Sequence, residues 1–281
     1  MAKVCGLALV ALGVYASTIM AAPSRVLFPK NLHLTRQVED PLTKKTITIE
    51  EYCSGNRVVS VSGEKTVIAD YDKQEITEID RRAGTYSISR FDEVATVATS
   101  PEPTTEKTIG TESARAPKRD RWKVTPLGVK AAASRSLDSF EFVEEGQAGR
   151  KVEVGIDRSV ALSHDAVEVL VGAAYPNPRR EEHEPLLRAA SVREPSRAIA
   201  ANAADDTNSD TAYGLPVSQA FTYTDSGMEI TFRTTITRVG SELVPAEVLI
   251  IPPAAQRVES PATAVLRQLR DLDDPANTRR P

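Results

Sequence analysis

The sequence predicts an α+β protein: a strongly curved antiparallel β-sheet, a half-barrel, with helices covering its concave face. Three observations carry that prediction. Short segments alternating apolar with polar residues recur at intervals of about ten residues across 43–91 and again across 122–156, joined by tight-turn residues. The apolar period then changes from two to about 3.6 near residue 163, which marks helices set into the middle of the chain. One alternating run, 228–239, is long enough to span about 40 Å, and a strand of that length suits a coiled sheet better than a flat one.

The elements follow in order. Residues 1–22 open with Met1-Ala2-Lys3, continue as an apolar run over 4–20 and close in Ala21-Ala22 before Pro23, the order of a secretory signal peptide. The run is at the short limit of a membrane span, so a retained anchor is the alternative. Residues 23–42 read as a mixed lead-in and 43–272 as a single domain. Within it, 46–52, 57–62, 65–71, 74–80 and 85–91 read as strands, separated by Ser54-Gly55-Asn56, Ser62-Gly63-Glu64, Asp72-Lys73 and Arg82-Ala83-Gly84. Connections this short join antiparallel neighbours, because a parallel pair needs a long crossover.

Residues 96–121 are rich in Thr, Ser, Pro and charge. They cannot bury enough apolar surface to offset ordering entropy, and they read as a flexible loop. Strands resume at Trp122, over 122–125, 129–134, 137–143 and 150–156. Val167, Leu170, Val171 and Ala174 then share one helical face, with Ser163 placed to cap its start. Tyr175-Pro176-Asn177-Pro178 ends this helix. A second helical stretch covers 181–204 with a kink near Pro195, and 200–212 reads as another flexible loop.

Strand 218–224 turns back through Asp225-Ser226-Gly227 into 228–239. There Met228, Ile230, Phe232 and Ile236 face one way, and Glu229, Thr231, Arg233, Thr235 and Thr237 the other. A last strand is expected over 244–251, stopped by Pro252-Pro253. Ser260-Pro261 opens a helix with Val265, Leu266, Leu269 and Leu272 along one stripe, and 273–281 forms a disordered tail.

The composition excludes several classes of function. With 281 residues, an apolar fraction of 41% and a net charge of −4, the chain is long enough for a sizeable core and has no basic excess to attract nucleic acid. Cys5 lies in the leader, which leaves Cys53 alone and no internal disulfide. The histidines are His33, His164 and His183, and none has a metal-fixing spacing. The carboxylates of Glu181-Glu182-His183-Glu184 sit on adjacent helical positions and do not converge on one point. His164-Asp165 beside Ser163 lacks the arrangement of a nucleophile, base and orienter, and no Gly-x-Ser-x-Gly, phosphate loop or dinucleotide fingerprint occurs. No catalytic residue, metal or cofactor is assigned.

What remains is a hollow. Helices over a curved sheet either fill it as a plain core or cover it loosely and leave a cavity for an apolar ligand. Val59, Val61, Val67, Tyr71, Tyr86, Ile88, Met228, Ile230, Phe232 and Ile236 are the expected lining residues, with entry requiring the helix near 164–175 to move.

The strand spacing carries a resemblance. Tyr52, Arg57-Val58-Val59, Ile68-Ala69-Asp70-Tyr71, Thr77-Glu78-Ile79-Asp80-Arg81 and Thr85-Tyr86-Ser87 resemble the opening meander of exported proteins that share the LolA/LolB-like lipoprotein-carrier architecture. Gly214-Leu215-Pro216-Val217, Val244-Pro245 and Ile250-Ile251-Pro252 resemble the closing hairpins of that group. The resemblance implies a half-open barrel with helices in its mouth. It also implies an apolar small molecule, or a lipid or lipoprotein acyl chain, held without cofactor or covalent chemistry, and a place in the periplasm or cell envelope, or secretion. The carriers depend on a cavity arginine, which the sequence alone matches to no arginine here, and the insertions at 96–121 and 200–212 depart from a compact shuttle. The alternatives are a structural or interaction module of the envelope, its core filled and an envelope protein docked on an edge strand, and a secreted hydrolase whose site no motif marks.

Overall fold

A computed structural model describes residues 26–99, 122–132, 134–145, 150–172, 180–191, 212–225 and 227–273. The elements are β1 (Phe28–Glu39), β2 (Thr46–Gly55), β3 (Arg57–Ser62), β4 (Lys65–Asp70), β5 (Glu75–Asp80), β6 (Thr85–Arg90), α1 (Phe91–Thr99), β7 (Trp122–Ala132), β8 (Arg135–Glu144), β9 (Lys151–Leu162), α2 (His164–Gly172), α3 (Arg180–Ser191), β10 (Tyr213–Asp225), β11 (Met228–Gly240), α4 (Ala246–Leu249), β12 (Gln256–Arg257) and α5 (Pro261–Asp273). The leader expected at 1–22 lies outside the described residues, as do most of the two expected loops and the expected tail beyond Asp273.

The predicted α+β class is the one observed. Among the described residues, twelve strands form one open sheet in the order β12-β6-β5-β4-β3-β2-β1-β11-β10-β9-β8-β7, with β12 and β7 as its edges. Every neighbouring pair is antiparallel except β12 with β6. Register shifts at Thr35/Arg36, Gly214/Leu215, Pro216/Ser218 and Pro126/Gly128 bend and twist the strands locally.

Helices α1, α2, α3 and α5 lie on one face. Phe91 and Val94 of α1, Ala166, Val169 and Leu170 of α2 and Ala262 of α5 pack on Leu34, Cys53, Val58, Val67, Ala69 and Ile76. Val167 and Val171 of α2 and Leu186, Ala189 and Ala190 of α3 pack on Phe140, Phe142, Val152, Val154 and Phe221. The ladder pairs these sheet residues across successive strands, so they belong to one surface. Ser163 caps α2 as expected, its Oγ accepting from the Ala166 N–H at 3.2 Å. Ser260 likewise opens α5, accepting from the Thr263 N–H at 3.1 Å.

The other face of β2–β6 is covered too, by the chain between β11 and β12. This strap leaves β11, is held by Arg81, whose Nη2 donates to the carbonyls of Glu247 (2.8 Å), Val248 (3.0 Å) and Ile250 (3.3 Å), and ends beside β6, where the Gln256 N–H donates to the Gly84 carbonyl.

Three expectations are corrected. The lead-in at 23–42 contains β1, which sits between β2 and β11 in the middle of the sheet; buried Arg36 interrupts the apolar alternation of Leu32, Leu34 and Val38, and buried His33 faces the other way. The strand expected over 244–251 is a one-turn helix, α4, with extended chain on either side, because Pro245, Pro252 and Pro253 cannot donate to a ladder and Arg81 takes up the free carbonyls. The two strands expected over 122–134 are one, β7, which accommodates Pro126 through a bulge at Gly128, φ 78°; an edge strand tolerates this.

Candidate functional site

The helix-bearing face of the sheet is built in cross-strand rows. Arg36 of β1 stands between Ile49 of β2 and Ile236 of β11. The next row toward the β10–β11 turn is Ile47, Val38, Thr234 and Gln219. Beyond it Phe232 faces Phe221, and Ile230 faces Tyr223. Burial falls along this direction. Ile236 is 1% exposed, Val38, Ile47, Ile49, Ile230, Phe232 and Tyr223 are half-buried, and Met228 is 63% exposed. The rings at this end are ordered, with Tyr223 stacked on Phe232 (6.0 Å, 13°) and Arg150 over the Phe221 ring at 5.5 Å.

The expected lining residues divide between the two faces. Val67, Tyr71 and Ile236 lie in the core beneath the helices, and Ile230, Phe232 and Met228 continue that same face to its exposed end. Val59, Val61, Tyr86 and Ile88 do not line it. Val59 pairs with Ile68, which faces Thr77 and through it Ile88, while Val61 pairs with Thr66, which faces Ile79 and through it Tyr86; these residues form the strap-bearing surface. Val58 and Val59 are each 1% exposed. With both faces of β3 covered, the two-residue period did not distinguish one from the other.

The feature missed from sequence is a buried ion pair. Arg36 and Glu51 are each 1% exposed. Glu51 Oε2 accepts from Arg36 Nε at 3.0 Å and from Nη2 at 2.8 Å, and Nη2 also approaches the Leu170 carbonyl at 3.4 Å. Leu170 lies in the last turn of α2, where carbonyls lack intrahelical partners and a cation is favourable. Arg36 thus links the sheet to α2. Arg158 of β9 does the same for α3, its guanidinium donating to the Ala189 and Ala190 carbonyls while Asp138 holds its Nε at 3.1 Å. The available sequence signal was opposite charges at in-facing positions of two alternating runs, Leu32-Leu34-Arg36-Val38 and Ile47-Ile49-Glu51-Cys53.

Other ionisable groups serve the scaffold. Burial works to raise the Asp157 carboxyl, but hydrogen bonds from Ser159 and Arg135 outweigh it and leave it below its ordinary value. Burial raises Glu78, which stands opposite Val67. On the strap-bearing face His33 stacks on Tyr52 (4.2 Å, 7°) between Glu50 (2.7 Å) and Glu242 (3.2 Å). A cavity of about 310 Å³ opens between the β2–β3 turn and the strap. It is walled by Tyr52, Arg57, Asp70, Asp72 and Glu242 together with Val59, Leu243 and Val244, and lies on the opposite side of the sheet from the apolar rows. Among the described residues no group of His, Cys, Asp and Glu is placed to hold a metal ion, and no helix is long and apolar enough to cross a membrane.

No protein-family model matches the sequence, and no curated protein matches it. Among solved structures the chain is similar to an uncharacterized conserved protein from Thermus thermophilus, at 9% identity over 83% of this chain and 92% of that chain with a TM-score of 0.40. It is similar to the MucA/MucB complex structure of Pseudomonas aeruginosa at 11% identity, over 90% of this chain and 62% of that chain, TM-score 0.36. A LolA superfamily protein from Nitrosomonas europaea is also similar, at 7% identity over 88% of this chain and 98% of that chain, TM-score 0.26. LolA superfamily proteins are therefore among the solved structures this chain resembles.

Proposed function

We propose that this chain is an exported, non-catalytic binding protein that holds a lipid or acyl group on the helix-bearing face of its sheet. The observation that carries the reading is the continuity of apolar rows on that face, from a closed core at Ile236 to a half-buried end at Val38, Ile47, Ile49, Ile230, Phe232 and Tyr223. An alkyl chain laid along these rows gains about 0.8 kcal/mol for each methylene removed from water. The charge, apolar and small-residue order of residues 1–22 supports export, and the periplasm or cell envelope, or the medium after secretion, is the proposed location.

Docking of an envelope partner on a sheet edge is less well supported. The β7 edge carries Lys123, Lys130, Pro126 and a bulge, the devices by which proteins discourage strand addition. Organic extraction of the purified protein followed by mass spectrometry tests the proposal. Acyl lipid recovered in near-stoichiometric amount is expected, and protein that neither carries lipid nor takes up a fluorescent fatty-acyl probe overturns it.

A further inference from the structure

Arg36 uses its side-chain nitrogens unequally. Nε and Nη2 are bonded to Glu51 and Nη2 also reaches Leu170, but Nη1, though buried, has no hydrogen-bond partner among the described residues. A buried donor of this kind calls for an acceptor. Ile49 and Ile236 flank Arg36 in its row, and Val38 and Ile47 lie in the next. Arg36 therefore stands in the row at the inner end of the half-buried apolar rows.

We propose that Nη1 donates to the head of the bound acyl group, and that this head is a neutral ester or amide carbonyl and not a free carboxylate. This rests on the helix-bearing face being the acyl site. The selection comes from Glu51. It already neutralises the Arg36 guanidinium at 2.8 Å, so the buried pair has no net charge. A carboxylate head would bring a second negative charge beside Glu51 into a site without bulk water, and an unpaired charge there is strongly disfavoured. A neutral carbonyl accepts from Nη1 and adds no charge. The Leu170 contact, at 3.4 Å the longest of the three, is the one a ligand carbonyl would compete with. No bond forms or breaks in this step.

The test compares cis-parinaric acid with its methyl ester by fluorescence titration of the purified full chain. At about pH 8, where the acid is ionised, the ester is expected to bind at least about tenfold more tightly. As the pH falls to about 5 and the acid in its bound position becomes neutral, its affinity should rise toward that of the ester, whose own affinity stays level; this arm needs no variant. In Glu51→Gln the unneutralised Arg36 should reverse the order at pH 8 in favour of the acid. Equal affinities for acid and ester at pH 8, or tighter binding of the acid by the unaltered protein, overturn the assignment of the head and leave the apolar site standing. Failure of both probes to bind removes the acyl site and this inference with it. The N-methyl amide of the same chain, run alongside, separates amide from ester recognition.

Discussion

Arg36 and Glu51 place a charged pair where an apolar pair would fold at least as well. Removing one partner leaves the other buried and uncompensated, so Arg36→Met and Glu51→Leu should each cost about 3–5 kcal/mol, and the double variant should recover most of that loss. Urea unfolding of the four proteins checks it, and strict additivity would show that the two side chains do not act as a unit. Two other carboxyls give opposite pH signatures. Asp157 lies below its ordinary value of 3.8 in the folded protein. A lowered carboxyl contributes its stability in full above the unfolded value and loses it as pH falls through the folded value. Asp157→Asn should therefore destabilise at neutral pH and flatten the acid limb of a stability–pH curve below about pH 4. Burial moves Glu78 the other way, above 4.5. Its ionised form is the disfavoured one, so its contribution is fullest below 4.5 and is lost as pH rises through the raised value. Glu78→Gln should gain stability at pH 7 and none at about pH 3. The buried charges also explain what stayed hidden in the sequence. Arg36 and His33 made β1 read as a mixed lead-in, because charged and polar residues are ordinarily read as surface, and with β1 misread the Arg36–Glu51 pair had no strand on which to be found.

Elements were legible wherever one face was wet and ends were marked by chemistry. The Ser163 cap located α2, Ser260-Pro261 located α5, and the turn at Asp225-Ser226-Gly227 set the register of β10 with β11. In β3–β6 the strands themselves were legible, but not which of their faces lies under the helices, because apolar residues point to both sides where helices cover one face and the strap the other. A strap made of one helical turn between prolines has neither a period of two nor of 3.6, and so it passed for a strand. Its hold on the sheet is concentrated in Arg81, which serves three carbonyls. Arg81→Ala should cost about 1–2 kcal/mol after allowance for its partial exposure. It should also speed amide exchange across 246–258 and leave β1 and β2 protected. Hydrogen–deuterium exchange by mass spectrometry reads this directly, and uniform loss of protection over the whole sheet would show that the strap is no separate unit.

At the scale of the whole molecule, α2 is the shared wedge. Ala166, Val169 and Leu170 belong to the cluster over β1–β5, and Val167 and Val171 to the cluster over β8–β10. Lifting this helix clear would expose both clusters at once, at about 1.5–3 kcal/mol for each large apolar side chain, so full removal of α2 is a poor route for a ligand. The cheaper route starts at the β10–β11 end, where Ile230 and Phe232 are already half-buried and Met228 is exposed, and ends where Arg36 meets the last turn of α2. This gradient predicts that function and stability separate along a single strand. Ile230→Glu sits on the accessible end; it should change the unfolding free energy by less than about 1 kcal/mol and abolish uptake of an acyl probe. Ile236→Glu lies on the same face of β11 but buries a carboxylate in the closed core, where the protein should lose its cooperative unfolding transition altogether. Thermal unfolding and probe titration on both variants decide the matter. If Ile230→Glu unfolds the protein as Ile236→Glu does, the rows are core throughout, and no accessible apolar end exists for a ligand to use.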